Sequence, residues 1–281
     1  MTIRETIKKG MINLKTNGIE EPNLKARLLM QFILNKPRQY LLIYDNQTLS
    51  LRQEVNYFKA IKKIISGVPL QHITHMQEFM KMNFYVDENV LIPRSDTEIL
   101  VEEVINISKK INAKKILDLC TGSGAIAISL AKYIENSEIT AVDISKKALE
   151  IARTNAKNND VENQITFVES DLFKNLKGDK YDVIVSNPPY IKREVIKKLN
   201  KDVQKEPIIA LDGGYDGLDF YRKIINESEK YLKFNGYICF EIGYDQKEDV
   251  IGIIKNKERY INTYSKKDLY GNDRIIITKL S

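Results

Sequence analysis

Residues 116–131 read ILDLCTGSGAIAISLA, and this stretch sets the fold. Residues 116–119 suit a covered strand, Gly122 and Gly124 form a Gly-x-Gly turn, and the apolar run that follows opens a helix over Ala125–Tyr133. The glycines let the backbone approach a ligand closely, and the start of the helix leaves N–H groups without intrahelical partners. A third glycine at the dinucleotide spacing is absent and no Gly-Lys-Ser/Thr follows, which weakens both the pyrophosphate and the P-loop readings. The turn alone does not select a ligand.

Working outward, strands and helices alternate from residue 114 onward. Strands are expected at 116–119, 139–142, 165–168, 181–186, 237–242, 260–265 and 274–278, with helices such as 146–157 between the first five. This alternation implies right-handed crossovers and a parallel, doubly wound sheet. Only the polar link KKDLYGND (266–273) joins the last two strands, so they should form an antiparallel hairpin.

Upstream, residues 1–75 read as helical. Ile3, Ile7, Met11 and Leu14 share one face and Gly18 stops that helix; Leu24, Leu28 and Phe32 follow Pro22. Leu51, Val55, Phe58, Ile61 and Ile65 form a third stripe behind a Ser50-x-x-Gln53 capping box. A small bundle that buries all three faces is expected. Residues 76–93 look like a β-hairpin linker around the polar turn Asp87-Glu88-Asn89, and Ser95-x-x-Glu98 is a second possible capping box at the start of the 94–281 domain.

Composition bounds the function. The 281 residues allow one large domain or two of ordinary size, with 43% hydrophobic and 29% charged residues. No apolar run reaches the length of a membrane span, and MTIRETIKKG lacks a secretory apolar core, so residence in the cytoplasm is expected. Cys120 and Cys239 are 119 positions apart, which argues against a disulfide framework or a zinc site. The two histidines, His72 and His75, read as surface or hinge residues, and no metal is expected. The net charge of +6 permits an acidic partner without requiring one, because the lysines are spread through the chain.

Three successive strand ends carry the site. After the Gly-x-Gly turn, the second strand ends on Asp143, placed to accept from both hydroxyls of a ribose. The third is followed by Asp171, able to accept from an adenine amino group, and by Leu172, able to pack on the ring. Each acid alone is more often a cap or surface turn residue; together with the Gly-x-Gly turn they suit an adenosine without a polyphosphate, which points to S-adenosylmethionine.

The fourth strand delivers VSNPPYI (185–191) to the same edge. Pro188 and Pro189 cannot continue a ladder, so a stiff loop begins there. A turn between strand and helix is the plain alternative. Beside a methyl donor, however, Asn187 Oδ1 and the Pro188 carbonyl can accept the two N–H bonds of a planar nitrogen, as in an amide or exocyclic amine, while Tyr190 packs on its flat face. Catalysis would be positioning for in-line displacement without a strong general base.

The chain resembles the HemK/PrmC family, methyltransferases that modify the glutamine of the Gly-Gly-Gln motif in peptide chain release factors. The likeness runs through GVPLQHI, FYVDENVLIPRSDTEILVE, ILDLCTGSGAIAISLA, AVDIS, IVSNPPYI, DVQKEPIIALDGGYDGLDFYR and GYICFEIGYDQ, in that order. It implies a Rossmann-like class I methyltransferase sheet of seven strands with a small N-terminal helical bundle, domains 1–75 for substrate recognition and 94–281 for methyl transfer, and the linker between them. It implies that Cys120, Thr121, Gly122, Ser123, Gly124, Asp143, Asp171, Leu172 and Asn187 surround S-adenosylmethionine, which leaves as S-adenosylhomocysteine. Asn187, Pro188, Pro189 and Tyr190 would grip the glutamine, the N-terminal helices would contact a class I release factor, and the IPRSDTE region would cover the cleft. Cys120 stands where many relatives carry glycine, and Leu172 where some carry an aromatic ring. A monomer without stable nucleic-acid or membrane binding is expected. NPPY alone is shared with adenine-N6 and cytosine-N4 DNA methyltransferases, which usually carry a basic and aromatic recognition module that this chain lacks. A ribosomal-protein glutamine methyltransferase would share the same site. A silent cofactor-binding module would have lost Asn187 or its prolines.

Overall fold

The computed structural model describes residues 1–281, which separate into two compact units. The first comprises residues 1–75 together with 200–205; the second comprises 76–199 and 206–281. No helix is long and apolar enough to cross a membrane.

The first unit is built from α1 (Ile3–Thr16), α2 (Pro22–Leu34), α3 (Arg38–Ile43), α4 (Leu51–Ile65) and α5 (Leu70–Thr74). Capping boxes open two of them: Thr2 with Glu5 on α1, and Ser50 with Gln53 on α4 as the sequence predicts. Gly18, at φ +71°, turns the chain just beyond α1. The core differs from the expected stripes. Leu24, Leu28 and Phe32 are 49%, 39% and 45% exposed, and Leu51 and Val55 also face outward; Ala26, Leu29 and Met30 of α2 are buried instead, and in α4 the expected Ile61 is buried together with Tyr57, Ala60 and Ile64. The cause is close approach at small residues. Tyr57 is fully buried, donates to the Ala26 carbonyl at 3.1 Å, and lies where a Cβ on Gly10 would sit 2.3 Å from its hydroxyl. His72 is buried rather than at the surface, whereas His75 ends α5 in the left-handed conformation.

The second unit opens with a hairpin, β1 (Gln77–Phe79) and β2 (Met82–Phe84), whose turn is Met80-Lys81 and not the expected Asp87-Glu88-Asn89. Both turn residues have positive φ, 49° and 60°, as a two-residue turn matched to strand twist requires. Phe79, Met82 and Phe84 enter the main core of this unit. The expected Ser95 capping box does not form: Ser95 makes no side-chain cap, and Glu98 reaches back to accept the Met80 amide at 2.6 Å. The acid that would have closed the box closes the hairpin turn instead.

Then come α6 (Asp96–Ile111), β3 (Lys115–Leu119), α7 (Ala125–Tyr133), β4 (Glu138–Asp143), α8 (Lys146–Asn158), β5 (Ile165–Glu169), β6 (Tyr181–Ser186), α9 (Arg193–Ile196), α10 (Asp219–Ser228), β7 (Leu232–Glu241), α11 (Lys247–Lys255), β8 (Tyr260–Lys267) and β9 (Asp273–Leu280). The seven strands lie in the order β5-β4-β3-β6-β7-β9-β8. The first five are parallel, and β9 runs antiparallel to both β7 and β8, so the expected sheet with its terminal hairpin is present. Ile116, Leu117, Val183, Ile184 and Val185 are wholly buried because helices cover both faces. Each such side chain contributes about 1.5–3 kcal/mol of burial. Successive strands run outward in one direction from β3 to β5 and then restart beside β3 at β6. A crevice therefore opens at the carboxyl ends of β3 and β6, where ligands bind in such sheets.

Candidate active site

The turn after β3 is held open by buried polar groups. Asp118, fully buried at the strand's end, accepts the Thr121 hydroxyl at 2.6 Å and the Ala127 amide at 3.2 Å through one oxygen. Burial pushes its carboxyl up to about 7, against these two bonds, which favour the charged form. Cys120, Gly122 and Gly124 all take positive φ, 63°, 56° and 82°. At Gly124 the bend brings the chain so close to α8 that a Cβ would stand 3.0 Å from that of Ala152. Cys120 occupies a left-handed position that glycine fills at less cost. Its thiol is driven far above the ordinary value by burial and by the nearby Asp143, so it carries no thiolate chemistry at neutral pH.

Asp143 ends β4 with both oxygens engaged. Oδ2 accepts the Gly122 amide and Oδ1 the Ser145 amide, each at 2.8 Å. It thus fastens the glycine turn to the second strand. Burial raises its pKa, while amides of Ser145, Gly122 and Ile144 oppose that shift. A carboxylate has about four lone-pair sites, so acceptor capacity remains for a ligand hydroxyl. Asp171 is exposed beyond β5, and the buried Leu172 next to it is left-handed at φ 51°.

These groups line one cleft, open at its mouth. Cys120, Gly122, Asp143, Asp171, Leu172, Asn187 and Pro189 contribute to its wall. Thr121, Ser123, Gly124, Pro188 and Tyr190 do not. Not anticipated from sequence are the apolar closures at Val90, Leu91, Pro207, Ile209 and Phe220. The lining includes two carboxylates and neither lysine nor arginine. Such a wall suits a neutral or cationic ligand and disfavours a polyphosphate. The acids at the ends of β4 and beyond β5 and the close-approach turn fit an adenosine bearing a sulfonium.

The loop after β6 is fixed from three sides. Ile191 donates to the Leu211 carbonyl at 3.0 Å and accepts from Gly213 at 2.9 Å. A Cβ on Gly213 would meet the Tyr190 backbone at 2.7 Å, and one on Gly217 would meet the Tyr190 carbonyl at 2.4 Å, so this contact requires glycine at both. Gln246 Nε2 donates to that same carbonyl at 2.9 Å. The Tyr190 hydroxyl donates to Glu241 Oε1 at 3.2 Å, and burial with the neighbouring Glu241 charge keeps the phenol protonated. Asn187 Nδ2 donates to Thr97 Oγ1 at 3.2 Å, which leaves Oδ1 for the cleft that Asn187 lines.

Two further clamps join segments distant in sequence. Asn155 on α8 donates to the carbonyls of Tyr85 and Ser123 and accepts the Tyr85 amide, tying the segment after the hairpin to the glycine turn. Buried Glu206 accepts the Ile92 amide at 2.9 Å and is ion-paired with Arg94. The bond fastens the segment bearing Leu91 to the one bearing Pro207, both of which wall the cleft. Neither clamp has a local sequence signal, because each pairs positions at least 32 apart.

Fold and site together define an α/β methyltransferase. Residues 95–210 match the family described as the methyltransferase small domain, and residues 5–74 the PrmC N-terminal domain. The fold is shared with a ribosomal protein L11 methylase from Lactobacillus delbrueckii subsp. bulgaricus, at a TM-score of 0.52 and 17% identity over 74% of this chain and 99% of that one. The chain is 40% identical to a release factor glutamine methyltransferase of Clostridium acetobutylicum, across 99% of this chain and 98% of that protein. It is 37% identical to one from Moorella thermoacetica, with the same coverage. The chain belongs to the release factor glutamine methyltransferase family.

Proposed function

We propose that this protein transfers the methyl group of S-adenosylmethionine to the side-chain amide nitrogen, N5, of the glutamine in the Gly-Gly-Gln motif of class I peptide chain release factors. The observation that carries this reading is the meeting of Asn187 with Asp143 in one cleft free of lysine and arginine, in a chain similar over nearly its whole length to release factor glutamine methyltransferases.

Asp143, Asp171, Leu172 and the Cys120-to-Gly124 turn would hold S-adenosylmethionine, which supplies an electrophilic methyl group on a sulfonium when bound. Asn187 Oδ1 and the Pro188 carbonyl accept the two amide hydrogens of the glutamine. That pairing orients the nitrogen and draws its lone pair out of conjugation, which is where the uncatalysed barrier lies. Tyr190 supplies a flat packing surface as a neutral phenol. No strong base is needed, because the nitrogen becomes acidic only once alkylated and then loses its proton. Val90, Leu91, Pro207 and Ile209 keep water from the reacting groups. The helical unit of residues 1–75 serves recognition of the factor, and the enzyme works as a cytoplasmic monomer.

Labelled S-adenosylmethionine, offered with a purified class I release factor, with that factor carrying alanine for the Gly-Gly-Gln glutamine, and with duplex DNA, tests the assignment. Label on the intact factor alone is expected. Label on DNA alone would assign NPPY to a base amine, and label on both forms of the factor would remove the glutamine as target.

A further inference from the structure

An asparagine amide is nearly symmetric in shape, and only its hydrogen-bond partners decide which end faces a ligand. In the proposed reaction the difference is decisive. Oδ1 toward the glutamine nitrogen makes a hydrogen bond, whereas Nδ2 there would set donor against donor.

Behind Asn187 stands a chain of two buried groups that fixes the choice. Thr97, in the first turn of α6, is 4% exposed, and Glu241, the last residue of β7, is 1% exposed. A threonine hydroxyl has one proton, and here it is given to Glu241 Oε2 at 2.6 Å. The oxygen of Thr97 can then only accept, and the group within reach is Asn187 Nδ2 at 3.2 Å. Glu241 also accepts the Tyr190 hydroxyl through its other oxygen, so one carboxylate reaches both ends of the NPPY motif. Burial raises the Glu241 carboxyl and the Asp96 charge adds to that, while Thr97, the nearby Arg274 and Tyr190 favour its charged, purely accepting form. The Arg274 side chain is itself held by Asp96 and Asp268.

We propose that Glu241 and Thr97 are positioning residues for methyl transfer, acting as a relay that sets the direction of the hydrogen bonds and thereby locks the Asn187 amide with its oxygen toward the substrate. The inference rests on the reading of Asn187 as the acceptor for the target nitrogen. Thr97 is separated from Asn187 by 90 positions, and Glu241 from Thr97 by 144. The relay is visible only in the folded chain.

The test compares Thr97→Val, Thr97→Ser, Glu241→Gln and Asn187→Ala in steady-state methylation of a release factor, with calorimetric S-adenosylmethionine binding and thermal melting on each protein. Val keeps the volume of Thr and removes the acceptor, so kcat should fall by about 10–100-fold, the scale of a misplaced reacting group. KM and cofactor affinity should stay within about twofold, the mark of an interaction made at the transition state. Ser should restore kcat. Gln at 241 can donate as well as accept, so it releases the direction of the chain and should lower kcat in the same way. Thr97→Val added to Asn187→Ala should cost nothing further, because the relay has no amide left to orient. If Asn187→Ala lowers turnover while folded Thr97→Val and Glu241→Gln retain wild-type kcat, the relay is wrong and the acceptor reading stands. If Asn187→Ala itself keeps wild-type turnover, the underlying reading fails first. Additive losses in the double variant would reduce Thr97 to a structural role and overturn the proposal.

Discussion

Two residues at the carboxyl end of β3 hold different kinds of strain, Asp118 an electrostatic one and Cys120 a conformational one. Asp118 is buried with its carboxyl raised to about 7, whereas an unfolded aspartate titrates near ~3.9. A raised folded value means that the native state favours the protonated acid. Its contribution to stability is full below the unfolded value and is lost as pH rises through the folded one. Asp118→Asn cannot titrate, and its amide oxygen still accepts from Thr121 and Ala127. Between about pH 4 and about pH 7, the melting temperature of wild type should therefore fall relative to that of the variant, with no further divergence above. A constant difference across that range would place the acid in a solvated site. At Cys120, the left-handed φ of 63° predicts an inversion of the usual order: Cys120→Gly should be more stable than Cys120→Ala by about 1 kcal/mol in urea denaturation, since both delete the thiol and only glycine relieves the backbone. Alanine at or above glycine in stability would mean that this conformation costs nothing.

The elements differ in how legible they were. The strands could be read because helices cover both faces of the sheet, so each inner strand is an almost unbroken apolar run such as residues 183–185. The face of α1 was read correctly, with Ile3, Ile7 and Leu14 buried, whereas that of α2 was misread for a physical reason. Periodicity counts large apolar residues, but the bundle closes around Tyr57, which lies against Gly10 of α1 and donates to the Ala26 carbonyl of α2, while Leu24, Leu28 and Phe32 face outward. The adjacent residues of α2 give the test: Leu29→Ala should cost about 2–5 kcal/mol and Leu28→Ala about 1 or less. Equal costs in chemical denaturation would restore the stripe read from sequence. The acids and glycines of the site lay at strand ends and were legible there. Glu206, Asn155, Thr97 and Gly213 were not, because their partners come from remote segments. Gly213→Ala would press a methyl into the Tyr190 backbone, 2.7 Å away, and should cost about 1–3 kcal/mol together with a loss of turnover. A variant with wild-type stability and rate would show that the NPPY loop yields freely.

On the scale of the whole molecule, the sheet's change of direction between β3 and β6 brings cofactor-type strand ends and the NPPY loop to one crevice. Chain order supplies the chemistry in sequence: a close-approach turn, a carboxylate, a second carboxylate with a packing surface, then an amide and two prolines. The net charge of +6 stays outside this crevice, whose wall has no cationic side chain. A lysine-rich surface and an acid-lined site therefore coexist without implying a nucleic-acid substrate. The central claim is that Asn187 presents an acceptor to a side-chain amide and that the amide nitrogen takes the methyl group. Tandem mass spectrometry of a release factor after incubation with S-adenosylmethionine and enzyme tests it most directly, with wild type and Asn187→Ala run in parallel. The account predicts one methyl group on the side-chain nitrogen of the Gly-Gly-Gln glutamine. With Asn187→Ala, the rate of its appearance should drop by ~10²–10³, the cost of removing one preorganised polar group, while cofactor binding persists. A methyl group on any other atom, or an unchanged rate with Asn187→Ala, would contradict it.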